Sequence, residues 1–319
     1  MLLIALGAFH LFVWQRVRHH VWGTTLQQPW CWLLAAVGLL LASHTAVTWG
    51  WLSAESNSGQ AIRYAIVVST YCPMMALLGA KRPQHRAWQW IVLTFWIVMC
   101  MPAIEFYLYQ RGGWLRLPWA WQILLVVFTA MPVANYLPTR NLLAAVGFAA
   151  GQWSIVEPWI GRGESPAVAD PQTGLVYFAA GLLGTWLMGR LIRPPCGVGP
   201  WRTIKPPAAH DGANAGDAEH RLWIAFRNSW GVLWALRVAE RYDTLAAAQG
   251  GTTRLGWRGF YSISAADSNE NLGGAGQATN NTASPAPSAP STKLNTFRAL
   301  LARFVSDRWL TDHAERDFP

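Results

Sequence analysis

The side chains that could do chemistry in this otherwise apolar chain are His44, Arg63, Glu105, Gln152, Glu157 and Tyr177. Two carboxyl groups, an imidazole and a guanidinium near one another could accept protons or cations. Glu105 and Glu157 would be the acceptors, or the partners of Arg63, with His44 as a titrating neighbour. Ionisable groups in membrane spans are costly, and they usually face the bundle interior or a water-filled cavity. Depth can be reckoned at 1.5 Å of helix rise per residue. His44 then lies ~21 Å from the inner end of its span, Glu105 ~27 Å and Glu157 ~24 Å. These depths place them in the outer third on different spans, where Gln152, Tyr177 and Arg63 could join them. The expectation is an outward-facing polar pocket. The competing reading has both glutamates at water-exposed helix ends and His44 satisfied by a neighbouring helix. Pro102 and Pro158 lie close to the two glutamates, and proline frees backbone carbonyls that could line a cavity or end a helix.

Other chemistries find no support. No HExxH or paired Cys/His spacing marks a zinc site, and no GxSxG, Walker A or GxGxxG occurs. His10 sits near the inner end of its apolar run and His44 near the outer end of its own, so the two would not face each other across a haem. No expected span carries the lysine a retinal Schiff base would need. Cys31, Cys72, Cys100 and Cys196 lack CxxC spacing and read as small apolar residues. The expectation is a protein without a cofactor or a metal.

The elements that must position these residues are apolar helices. Ala87–Tyr109 has Glu105 as its one side chain charged at neutral pH. A helix of about 20 apolar residues crosses a hydrocarbon core of ~30 Å. Lys81, Arg82 and Arg86 precede this stretch, Trp88 and Trp90 open it, and Tyr107 and Tyr109 close it. Aromatic rings prefer the headgroup level. The chain has 21 Trp, many at the edges of apolar runs, and charged residues are 13%, against ~25% in a typical soluble domain.

The hydropathy pattern predicts an all-α, polytopic helical membrane bundle of seven spans. They are Met1–Trp14, Trp30–Trp51, Ile62–Gly79, Ala87–Tyr109, Pro118–Leu137, Asn141–Ile160 and Gly174–Ile192. The first twenty residues do not read as a signal peptide, because their basic residues follow the apolar run. Basic residues collect in alternate loops. Arg16, Arg18, Lys81, Arg82, Arg86, Arg140, Arg190, Arg193, Arg202 and Lys205 outnumber Arg63, Arg111, Arg116 and Arg162. The positive-inside bias puts the amino terminus outside and the carboxyl terminus inside. The net charge of +9 is spread over loops and the last third, which fits that topology and not a nucleic-acid face. Gly147 and Gly151, with Gly181, Thr185 and Gly189, give small-xxx-small faces for close helix packing.

The expected organisation is a transmembrane domain over 1–193, a linker over 194–216 and a juxtamembrane amphipathic region over 217–263. A disordered linker over 264–293 and a C-terminal amphipathic helix within 294–319 complete it. In the juxtamembrane helix Arg227, Arg237 and Arg241 share a sector of roughly 80° and Trp223, Phe226, Trp230 and Trp234 supply apolar bulk. That suits a membrane–water interface. It equally suits the core of a small cytoplasmic domain, with Thr252–Ile263 adding a strand pair. The partners expected are the lipid bilayer and a cytoplasmic protein bound by residues 217–319, with no nucleic acid. The functional expectation is a non-enzymatic scaffold, assembly factor or sensor of a bacterial inner membrane. The alternatives are a transporter or channel using the outer pocket, and a membrane-embedded enzyme on a lipid-linked substrate.

Overall fold

The computed structural model describes residues 12, 15, 21–53, 55–81, 85–109, 113–160, 213–262 and 290–315. The expected span Gly174–Ile192, with Tyr177 and the Gly181–Thr185–Gly189 face, lies outside them. So do Met1–Trp14 apart from Phe12, the linker up to residue 212, and the 264–293 linker up to residue 289. The chain divides into two compact units, Met1–Gly197 with Phe318–Pro319, and Val198–Asp317.

The first unit is built of helices joined by short loops, with no strand among its described residues. Its helices are α1 (Gln27–Thr48), α2 (Asn57–Ser69), α3 (Cys72–Leu78), α4 (His85–Met99), α5 (Met101–Leu108), α6 (Trp119–Tyr136) and α7 (Leu142–Ile160). The helix α2 starts where the Ser56 hydroxyl accepts the Gly59 N–H at 3.0 Å, an ordinary N-cap. It gives way to α3 at Thr70–Tyr71, just ahead of Pro73, which has no N–H to continue the ladder. The helices α4 and α5 bend by 42° at Cys100, ahead of Pro102. Three stretches, Gln27–Thr48, Asn57–Leu78 and Trp119–Tyr136, are long and apolar enough to cross a membrane, and the bent α4–α5 pair makes a fourth. The helix α7, 19 residues long and carrying Gln152 and Glu157, is not among these candidates.

Side-chain hydrogen bonds pin the alternation of the helices. At one end Gln60 of α2 is buried, accepts the Leu115 N–H at 2.8 Å, and donates to the Glu55 and Gly113 carbonyls. That ties the α1–α2 loop to the α5–α6 loop. At the other end the Thr25 hydroxyl donates to the Ala80 carbonyl at 2.8 Å, and Trp32 Nε1 donates to Gln89 Oε1 at 2.7 Å. Trp88 Nε1 donates to the Met75 carbonyl, and its indole lies where a side chain on Gly79 would begin. The core between the ends holds Tyr64, Val68, Tyr71, Met99, Leu125, Ile155 and Val156. Outside it the unit exposes Leu39, Ile91, Ile97, Val98, Ile104, Ile123, Val126 and Val127. Exposed Trp49, Trp51, Tyr107, Tyr109 and Trp119 ring the Gln60 end, and exposed Trp22 and Trp90 mark the other.

The second unit distributes its apolar residues the other way. Its helix α8 (Ala213–Ala248) is broken at Gly231, whose φ of 78° and ψ of −174° are open only to glycine. The hairpin β1 (Thr253–Gly256) and β2 (Gly259–Ser262) pairs antiparallel, with Leu255 opposite Phe260. The helices α9 (Pro290–Leu301) and α10 (Asp307–Glu315) pack against α8. Trp223, Phe226, Trp230, Tyr242, Phe297, Phe304 and Trp309 are buried. Their rings meet mostly edge to face, as between Phe226 and Phe304 at 5.1 Å and Trp230 and Trp309 at 5.8 Å. The strand pair and the core-helix arrangement are therefore present. The Trp face of α8 is covered by α9 and α10.

Candidate functional site

Helix alternation brings His44 near the end of α1, Glu105 on α5 and Glu157 near the end of α7 to the Gln60 end of the bundle. What they face there differs. Glu105 and Glu157 are exposed, whereas His44 and Arg63 are half-buried. The His44 backbone carbonyl accepts the Thr48 hydroxyl at 2.8 Å.

Gln152 is wholly buried deeper in the bundle. Its Nε2 donates at 2.9 Å to the Thr70 carbonyl, at the break that Pro73 imposes between α2 and α3. Its Oε1 has no hydrogen-bond partner. Tyr71 closes a second buried contact, its hydroxyl 2.9 Å from Thr129 Oγ1, which in turn donates to the Leu125 carbonyl. These polar groups join α2, α6 and α7 across the core, and their chemistry is that of structural satisfaction of a broken helix.

Arg63 has a more particular setting. It lines a cleft of about 20 Å³ with Leu40 and Ser43 of α1, Val67 of α2, and Ile155 and Trp159 of α7. The Trp159 ring stands edge-on to Tyr64 with centroids 5.5 Å apart. Among the described residues the indole Nε1 of Trp159 and the hydroxyl of Tyr64 are both buried without a hydrogen-bond partner. A buried donor left unmade costs free energy, and most such groups in folded proteins have a partner. Neither Glu105 nor Glu157 lines this cleft. Ser43, Tyr64 and Trp159 are not among the residues expected from sequence. Trp159 reads there as one more interfacial tryptophan, and no signal distinguishes it from the others until its neighbours are known.

The three arginines expected at a membrane interface separate. Arg227 donates to the Trp257 carbonyl at 2.7 Å and lies 4.7 Å from the centre of that ring, inside the second unit. Arg237 sits over Trp234 at 5.1 Å with its residue exposed, and Arg241 is exposed. Among the described residues no group of three His, Cys, Asp or Glu is placed to hold a metal ion. Comparison with protein-family models, curated proteins and solved structures finds no match.

Proposed function

We propose that the chain is a multi-pass protein of a bacterial inner membrane, with seven spans, an outer amino terminus and an inner carboxyl terminus. It serves as a non-enzymatic scaffold, assembly factor or sensor whose residues 217–319 bind a cytoplasmic protein. The observation that carries this reading is the contrast between the two units. The first exposes a belt of Ile, Leu and Val between aromatic ends, a surface that water would not tolerate at this extent. The second buries most of its aromatic residues and exposes Leu233, Leu236 and Tyr261 as its large apolar side chains among the described residues. One unit is dressed for lipid and the other for water, as in a protein that holds a soluble module at a membrane.

A photo-crosslinking residue at Leu236 of the full-length chain, in native membranes, tests the partner. A protein adduct of one discrete mass is expected there, and none from the same probe at Ile123 in the lipid belt. Lipid adducts alone at Leu236 retire the scaffold reading and place α8 on the bilayer.

A further inference from the structure

The cleft beside Arg63 has the donors of an anion site and the walls of a lipid site. Trp159 Nε1 can only donate, as can the guanidinium, and Ser43 adds a hydroxyl. Among the described residues the Trp159 nitrogen is buried and unpartnered, so these helices hold a donor for an acceptor they do not themselves supply. The remaining walls are apolar, with Leu40, Val67 and Ile155 buried and Ile66 half-buried. Among the described residues no carboxylate lines the cleft. Glu157 lies two residues from both Ile155 and Trp159, about 200° around the helix at 3.6 residues per turn, and is exposed.

Size and depth select the ligand. About 20 Å³ accommodates roughly one oxygen or one water, not a whole phosphate. The bulk of any anion that enters must therefore lie outside the bundle, along its surface. Arg63 is six residues into α2, so it lies ~9 Å from the helix start. A snorkelling arginine at that depth reaches the headgroup level. The exposed Trp49, Trp51 and Trp119 mark the same end.

We propose that this cleft is an anionic-phospholipid site. One phosphate oxygen enters between α1, α2 and α7, with Arg63 as its ionic partner and the Trp159 N–H as its buried donor. The acyl chains lie against the exposed apolar surface of the bundle. The proposal rests on the first unit being embedded in lipid, which the topology reporters described in the Discussion test separately.

The test uses the purified full-length chain in a neutral detergent. Short-chain phosphatidylglycerol, the matching phosphatidylcholine and inorganic phosphate are each titrated, thermal unfolding is followed, and bound lipids are counted by native mass spectrometry. Phosphatidylglycerol should give a saturable rise in Tm with one tightly retained lipid. Phosphatidylcholine and inorganic phosphate should give no such rise. Trp159→Phe keeps an aromatic ring against Tyr64 but removes the N–H together with part of the indole; it should weaken the lipid by about tenfold, the loss of one charge-assisted hydrogen bond, and a Trp159→Phe protein with an unchanged Tm in the absence of lipid shows that the smaller ring is not the cause. Arg63→Gln should abolish the saturable response and Arg63→Lys should keep part of it. If Arg63→Gln does not fold, the Trp159→Phe and Arg63→Lys pair decides. Four results overturn the proposal: equal responses to the two lipids, a Trp159→Phe protein that binds like wild type, a response to inorganic phosphate alone, or no saturable response. The third assigns the cleft to a soluble anion and the fourth to a water.

Discussion

Gln60 makes its contacts with an amide that no other residue type reproduces. It receives one N–H and gives two hydrogen bonds, all to backbone, while wholly buried. Gln60→Leu has nearly the same volume but strands the Leu115 N–H and two carbonyls, so it should destabilise the first unit by about 1–3 kcal/mol. Thermal unfolding of the full chain in mild detergent checks this; an unchanged midpoint removes the latch. Tyr242 supplies a pH test in the second unit. Burial first, and then the Glu219 and Asp243 carboxylates, raise its phenol above the ordinary value of 10.0. The folded state therefore holds the proton more tightly than the unfolded chain. This phenol costs nothing below about pH 10, and stability falls as pH rises from there toward the folded value. The urea midpoint of the second unit, read by near-ultraviolet circular dichroism, should decline less above pH 10 in Tyr242→Phe than in wild type. Neither residue is conspicuous in the sequence. Gln60 is one amide ahead of an apolar run, and its value lies in a loop more than fifty residues away.

Helix positions were largely legible because apolar runs and prolines act locally. Trp30–Trp51, Pro118–Leu137 and Asn141–Ile160 correspond to α1, α6 and α7 within a few residues. Pro73 and Pro102 mark the two breaks, where a missing N–H ends a ladder whatever the neighbours do. What covers a helix is not local. The Trp face of α8 suits headgroups or a protein core equally, and the choice is made by Phe297, Phe304 and Trp309 from the far side of a long polar stretch. The expected polar pocket rested on depth alone, since period and rise do not fix rotation toward a shared cavity. Gly231 tests the element directly. Helix propensity alone predicts that Gly231→Ala gains up to ~1 kcal/mol. The left-handed φ of 78° predicts the reverse, a loss of about 1–3 kcal/mol. Chemical denaturation of the second unit decides by sign.

At the scale of the molecule, the proposal of one unit in lipid and one in water is tested by topology. Reporter fusions after Gln84 and after Arg202 should read inside, and a fusion after Gly163 outside. An outside reading at Arg202 contradicts the seven-span arrangement. An inside reading at the amino terminus leaves six spans with the second unit on the same side. The ring contacts of the second unit have a further consequence, for the timing of synthesis. Trp223 meets Phe297, Phe226 meets Phe304 and Trp230 meets Trp309, each across more than seventy residues, and Arg221 Nη2 holds the Ala314 carbonyl. At 5–20 residues per second, roughly 3–13 s separate the translation of Ala248 from that of Glu315. Through that interval the tryptophans of α8 have no cover of their own. In the membrane arrangement proposed above, the first spans have emerged while the ribosome is still at work, so the nascent chain would carry an uncovered aromatic helix beside a bilayer. Its correct outcome depends on α9 and α10 arriving before the membrane surface captures α8.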